Sequence, residues 1–124
     1  MFTGAGGLAI GSIKGTSRLA QNFQKGKDAE MLILGLEKNT ERLFFKGDKA
    51  AYRTPDQLDQ ANYIIGEVKN VNEQYLSSQL KRYLQFAQNN NFRMILYVDI
   101  RTKIAKPLQD LIDSGDIKLV RSKF

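Results

Sequence analysis

Residues 63–69 read Tyr-Ile-Ile-Gly-Glu-Val-Lys, a stretch rich in β-branched and aromatic residues that predicts a β-strand. Successive side chains of a strand point to opposite faces, so Ile65, Glu67 and Lys69 share one face. An acid and a base therefore lie side by side on this strand, while its other face is uncharged. Whether the pair carries chemistry depends on the elements that precede and follow it.

The rest of the chain divides into helices and strands by the spacing of its apolar residues. The predicted helices cover residues 27–37, the stretch from a Ser77 cap to Asn89, and residues 107–114. The other predicted strands cover residues 42–46, 50–53, 92–100 and 117–120. Because a helical crossover makes its flanking strands parallel whereas tight turns make them antiparallel, the order α-β-β-β-α-β-α-β predicts an α/β (α+β) fold with a mixed sheet.

Length and composition limit the possible architectures. A chain of 124 residues with 42% hydrophobic residues can form one domain with its own core. Five of its ten glycines lie within the first fifteen residues, so we expect a Gly-rich leader or linker over residues 1–25 and a folded domain over residues 26–124. The sequence has no apolar run of transmembrane length and no secretory signal pattern, so no stable membrane insertion is expected.

The chain contains no cysteine and no histidine. Disulfide scaffolds, Cys/His zinc sites, thiol nucleophiles and imidazole acid–base chemistry are therefore excluded. Any catalysis has to use carboxylates, lysine, tyrosine, hydroxyl groups or a metal ion bound by oxygen atoms.

The charge of the chain suggests a polyanionic partner. Its 19 basic and 13 acidic residues give a net charge of +6, and residues 69–124 hold 10 basic against 5 acidic residues. A basic loop after the buried strand and the exposed side of the Ser77 helix suit phosphate contacts. The predicted nucleic-acid-binding residues are Lys81, Arg82, Arg101, Thr102, Lys103 and Lys106. The alternative is a charged surface that keeps the domain soluble.

A second acid, Asp56, follows Pro55 at the end of the preceding predicted strand. A tight connection over residues 57–62 would return the chain so that Asp56 faces Glu67. Two converging carboxylates repel each other unless a cation lies between them, and oxygen ligands without imidazole or thiolate favour Mg²⁺ or Mn²⁺. Such a metal polarises a scissile phosphate, and Lys69 would orient the attacking water or stabilise developing charge.

Pro55-Asp56 followed by Glu67-x-Lys69 within α-β-β-β-α-β resembles the PD-(D/E)xK, or restriction-endonuclease-like, nuclease superfamily, over about residues 26–124. The chain is most similar to the small C-terminal toxin domains of bacterial polymorphic toxins, such as contact-dependent inhibition and Rhs-type effectors. The resemblance implies a restriction-endonuclease-like core with an added C-terminal helix and strand.

The resemblance also implies roles for particular residues. The implied metal ligands are Glu30, Asp56, Glu67 and the Val68 carbonyl. The implied catalytic residues are Asp56, Glu67, Lys69 and Gln79. The expected ion is Mg²⁺, with Mn²⁺ or Zn²⁺ as alternatives. Glu30 could instead complement the dipole of its helix, and Gln79 could join the Ser77 cap.

The expected function is a metal-dependent endonuclease toxin that hydrolyses DNA in competing bacteria. It would be secreted as part of a larger effector, act in the target-cell cytoplasm, and be neutralised by an acidic immunity protein. A tRNA-cleaving toxin on the same fold remains an alternative. A second alternative is a non-catalytic basic module that binds nucleic acid, in which Glu67 and Lys69 form an ordinary ion pair.

Overall fold

The computed structural model describes residues 27–124, and the predicted leader lies outside the described residues. The helices are α1 (Lys27–Leu34), α2 (Ser78–Asn90) and α3 (Lys106–Asp113). The strands are β1 (Gln57–Asp59), β2 (Ile64–Lys69), β3 (Glu73–Gln74), β4 (Arg93–Asp99), β5 (Lys103–Ile104) and β6 (Ile117–Ser122). None of these helices is long and apolar enough to cross a membrane.

The main sheet has four strands in the order β1-β2-β4-β6. β1 is antiparallel to β2, whereas β2 and β4, and β4 and β6, are parallel. The two parallel pairs are joined by crossovers that contain α2 and α3, as the physics of parallel connections requires. The predicted mixed α/β sheet is confirmed. A short parallel pair, β3 with β5, was not predicted.

Helices cover both faces of this sheet. On one face, α2 and α3 bury a large core that includes Ile65, Tyr83, Leu96 and Leu108. On the other face, α1 contributes Met31 to a smaller core. Ile65 and Val68 of β2 belong to different cores, so the predicted alternation of this strand is confirmed.

The first helix is shorter than the sequence predicts, because it ends at Leu34 rather than at residue 37. Gly35 adopts a positive φ of 70°, a conformation that glycine reaches without steric cost. The Leu36 N–H then donates to the Met31 carbonyl at 2.9 Å and closes the helix end. The chain that follows the helix then runs next to Asp56, whose carbonyl accepts a hydrogen bond from the Asn39 N–H.

The two strands predicted over residues 42–46 and 50–53 are wrong. This segment forms an irregular loop with one isolated bridge between Leu43 and Arg53. Leu43 packs against the main core, but Phe44 and Tyr52 remain exposed, so the segment lacks the continuous buried face that would fix it in the sheet. The antiparallel partner of β2 is instead β1, which was predicted to be part of a tight connection.

Gly66 of β2 allows a close contact between neighbouring strands. A Cβ atom at this position would overlap the Gln57 Oε1 atom and lie 3.0 Å from the Tyr97 ring. These two side chains are hydrogen-bonded to each other, since the Tyr97 hydroxyl donates to Gln57 Oε1 at 2.8 Å. Gly66 therefore provides the space in which β1 is attached to the rest of the sheet.

We expect Gly66→Ala to lower the free energy of unfolding by about 1–3 kcal/mol, because the added methyl group overpacks this contact. Urea titration followed by circular dichroism measures the change. Adding Gln57→Ala to the variant should restore part of the loss, since it removes the side chain that the methyl group meets. Equal unfolding midpoints for wild type and Gly66→Ala would contradict the interpretation.

Candidate active site

The candidate site lies where β1 begins and β2 ends. Asp56 directly precedes β1, while Glu67 and Lys69 are on β2 and point to the face covered by α2. The antiparallel pairing places Gln57 opposite Gly66, so the residues next to them in sequence, Asp56 and Glu67, become neighbours. The predicted convergence of the two carboxylates is thus present, with β1 rather than an earlier strand holding Asp56 in position.

The two carboxylates are held by the backbone as well as by charge. The Asp56 N–H donates to Glu67 Oε1 at 3.2 Å, and the Val68 N–H donates to Asp56 Oδ2 at 2.8 Å. The Glu67 side chain is 1% exposed and that of Asp56 13% exposed. Charges so far removed from water need opposite charges close by.

Lys27, the first residue of α1, supplies one of these charges. Its Nζ atom lies 2.9 Å from Glu67 Oε2 and 3.7 Å from Asp56 Oδ2, and so contacts both carboxylates. Burial opposes the charge on Lys27, but its hydrogen bond and attraction to Glu67 outweigh this and raise its pKa. Sequence reasoning missed Lys27. Its position three residues before Glu30, on the same side of a helix, was the available signal.

Lys69 supplies the second charge and is held on two sides. Its Nζ atom lies 3.3 Å from Glu67 Oε2 and donates to Gln79 Oε1 at 2.6 Å. Gln79 in turn lies 3.5 Å from the hydroxyl of Tyr83, a fully buried residue whose pKa is raised by burial and by the charge of Glu67. The Gln79 amide therefore orients the lysine rather than joining the Ser77 cap.

The proximity of the two acids changes the protonation of Asp56. Burial and then the negative charge of Glu67 raise the pKa of Asp56 to about 6. The Val68 N–H and Lys27 oppose this shift without cancelling it. Near neutral pH a cation bound here would stabilise the ionised form of Asp56.

Glu30 is close to the pair but does not join it. Burial raises the pKa of Glu30, and the neighbouring Asn70 and Lys27 oppose this shift. Together with Lys27 and Lys69, Glu30 lines a cleft of about 650 Å³. Within residues 27–124, no three acidic side chains converge as a metal-binding group, so the ligand set that includes Glu30 stays a prediction.

The predicted nucleic-acid contacts differ in how available they are. Lys81, Lys103, Lys106 and Arg101 are exposed, although Lys106 pairs with Asp110 and Arg101 with Asp99. Arg82 is partly buried, with Nε 3.6 Å from Asp48.

Thr102 has a structural role instead. Its side chain is buried and its hydroxyl donates to the Val71 carbonyl at 2.7 Å, so it does not face a ligand. The contact joins the loop that follows β4 to the segment that follows β2. Thr102 therefore does not contribute to an exposed nucleic-acid surface.

An acid ahead of one strand, Glu-x-Lys on the next and a mixed sheet between helices together define a restriction-endonuclease-like domain. Compared with known families, residues 26–108, about two thirds of the chain, match the family described as Restriction endonuclease fold toxin 7. The chain belongs to this family. No curated protein and no solved structure matches it. A toxin family with this fold suggests nuclease activity and implies a nucleic-acid substrate.

The raised pKa of Asp56 predicts a pH dependence of stability. Between its ordinary value of 3.8 and about 6, the folded chain binds more protons than the unfolded chain. Stability of the metal-free protein should therefore fall as pH rises through this window. Asp56→Asn should lose this dependence, which urea midpoints measured in EDTA across the window would reveal.

Asp59→Asn serves as the matched control for this measurement. The hydrogen bond from Asn62 lowers the pKa of Asp59, so its contribution to stability has the opposite sign and is lost as pH falls. Parallel pH profiles for wild type and Asp56→Asn would contradict the role assigned to Asp56.

Proposed function

We propose that this domain is a metal-dependent endonuclease toxin that hydrolyses the phosphodiester bonds of DNA in competing bacteria. The observation that supports it most directly is the buried pair of Asp56 and Glu67, balanced by two lysines, on the fold of a toxin family. Two largely buried carboxylates that converge on one point favour a bound cation, and acids with perturbed pKa values are common at catalytic sites.

The donor set suits a hard divalent cation, for which we propose Mg²⁺ first, with Mn²⁺ or Zn²⁺ as alternatives. Asp56 and Glu67 would hold it, and we propose the Val68 carbonyl and Glu30 as further ligands. The bound ion would polarise the scissile phosphate and stabilise the charge that develops on its oxygen atoms.

The two lysines of the site would have different roles, and Lys69 would act on the phosphate. Lys69 is kept in place by Gln79 at 2.6 Å, so its ammonium group is oriented before substrate arrives. Lys27 is 45% exposed and belongs to a helix end, which leaves it free to move from the carboxylates when a metal ion replaces it. The other exposed basic residues would hold the polymer without reading its sequence.

The biological setting is proposed from the family. We infer that residues 26–124 are the toxic unit and that the Gly-rich residues 1–25 join it to a larger secreted effector. The domain would act in the cytoplasm of the target cell. A net charge of +6 favours an immunity protein whose contacting surface is acidic. A second candidate substrate is tRNA, which the exposed aromatic residues Phe44 and Tyr52 favour because they suit unpaired bases.

Nuclease activity is tested with plasmid DNA and with total tRNA, each incubated with the domain and Mg²⁺ or Mn²⁺. Glu67→Gln should reduce cleavage at least roughly 100-fold, because it removes charge at the centre of the site. Lys69→Met should act in the same direction. Glu73→Gln changes an exposed glutamate outside the site and should cleave like wild type.

Failure of the wild type to cut either polymer, or full activity of Glu67→Gln, would refute the nuclease function. If only tRNA is cleaved, the substrate is tRNA and not DNA.

The position of Lys27 predicts competition with the metal ion. Calorimetric titration should find Mn²⁺ bound more tightly by Lys27→Met than by wild type, because the variant has no ammonium group to displace from Asp56 and Glu67. Lys38→Met is the control, since Lys38 pairs with Asp28 instead. Weaker binding of Mn²⁺ by Lys27→Met would show that Lys27 assists the metal rather than replacing it.

A further inference from the structure

The segment between α1 and β1 presents aromatic side chains to solvent. We name residues 42–53 the aromatic loop. Its two ends are fastened by hydrogen bonds of 2.7 and 2.8 Å between the backbones of Leu43 and Arg53. Phe44 is 73% exposed and Tyr52 is 42% exposed, with their ring centroids 6.3 Å apart. Two exposed aromatic rings within one closed loop form a local apolar patch of the kind that binding surfaces present.

Basic residues share the loop with this pair. The Arg42 guanidinium lies 4.1 Å from the centroid of the Tyr52 ring. Lys46 and Lys49 are exposed on the same loop. Aromatic faces interleaved with cations offer both a surface for stacking and a place for phosphate groups.

The single acid of the aromatic loop is turned away from this surface. Asp48 accepts hydrogen bonds of 2.6 and 3.0 Å from Arg53, and Arg82 of α2 lies 3.6 Å from it. The bonds from Arg53 lower the pKa of Asp48 to about 2, so it stays ionised and paired. The loop is thereby held against α2, and its outward charge is that of Arg42 and the two lysines.

The base of the aromatic loop adjoins the candidate active site. The Asn39 side chain donates to the Pro55 carbonyl at 2.9 Å, and the Asn39 N–H donates to the Asp56 carbonyl at 3.0 Å. Arg53 is three residues before Asp56 in the same stretch of chain. The segments that lead into and out of the loop are therefore joined next to Asp56.

We propose that the aromatic loop binds unpaired nucleobases of the substrate, which stack on Phe44 and Tyr52 while neighbouring phosphates pair with Lys46 and Lys49. This inference rests on the proposed nuclease function and narrows its substrate to nucleic acid with a single-stranded segment. Bases in a duplex are already stacked on each other and present only their edges. The exposed Phe44 ring offers a face to a base that has left the stack, and Tyr52 with Arg42 offers a second, positively charged surface beside it.

Binding is measured without cleavage, by fluorescence anisotropy of a labelled single-stranded oligonucleotide in EDTA. Phe44→Ala should weaken binding about tenfold, the usual effect of losing one stacked base. Tyr75→Ala removes an aromatic side chain that is 65% exposed outside the loop and should bind like wild type. Both variants should bind the matching duplex with nearly the affinity of the wild type.

A second measurement uses the absence of tryptophan from the chain. Phe44→Trp introduces a single indole, whose fluorescence a stacked base should quench. Quenching by the single strand and not by the duplex supports the proposal. An unquenched indole, or equal affinities of Phe44→Ala and Tyr75→Ala for the single strand, would overturn it, and a loop that serves a protein partner would give this result.

The nuclease function and the base-binding role of the aromatic loop can be disproved independently of each other. If the wild type cleaves neither DNA nor tRNA while Phe44→Ala still weakens binding, the nuclease function fails and the base-binding loop stands. If the wild type cleaves and Phe44→Ala binds like wild type, the loop is wrong and the nuclease remains.

Discussion

The ionic centre formed by Asp56 and Glu67 is the constraint on which the rest of this structure depends. Two carboxylates with almost no access to water would be unstable together without cations. The chain meets this requirement with Lys27 from α1 and Lys69 from β2, so elements distant in sequence have to meet at one point. Under the proposed function, a metal ion would take over the role of one of these positive charges.

Much of this arrangement could be predicted from the sequence because it depends on local periodicity. The alternation of β2 places Glu67 and Lys69 on one face, and the long apolar run after α2 becomes the buried β4. The strands predicted over residues 42–53 failed for a physical reason. The run of Leu43, Phe44 and Phe45 suggested a strand, but Phe44 stays in solvent, and a single sequence does not show which apolar residues a fold leaves exposed.

The sequence shows that the chain is basic, but not which of its basic side chains are engaged in ion pairs and hydrogen bonds within the fold. Arg53 binds Asp48, and Arg121 donates to the backbone carbonyls of Asp99, Ile100 and Thr102. Such residues stabilise loops and cannot grip phosphate at the same time. Lys27 shows the opposite case, since it begins a helix in sequence yet completes the ionic centre. Contacts between residues that are distant in sequence depend on the tertiary structure and cannot be predicted from local sequence patterns.

Gly66 has a consequence for the chemistry as well as for packing. Side chains of a strand alternate with a period of two, so a shift of β2 by one residue against β1 and β4 would exchange Glu67 and Val68 between the faces of the sheet. Glu67 and Lys69 would then both enter the core beneath α1, and Val68 would take their place in the site. At Gly66 the absence of a side chain lets Gln57 and Tyr97 meet, which holds the strands in the register that keeps Glu67 in the site.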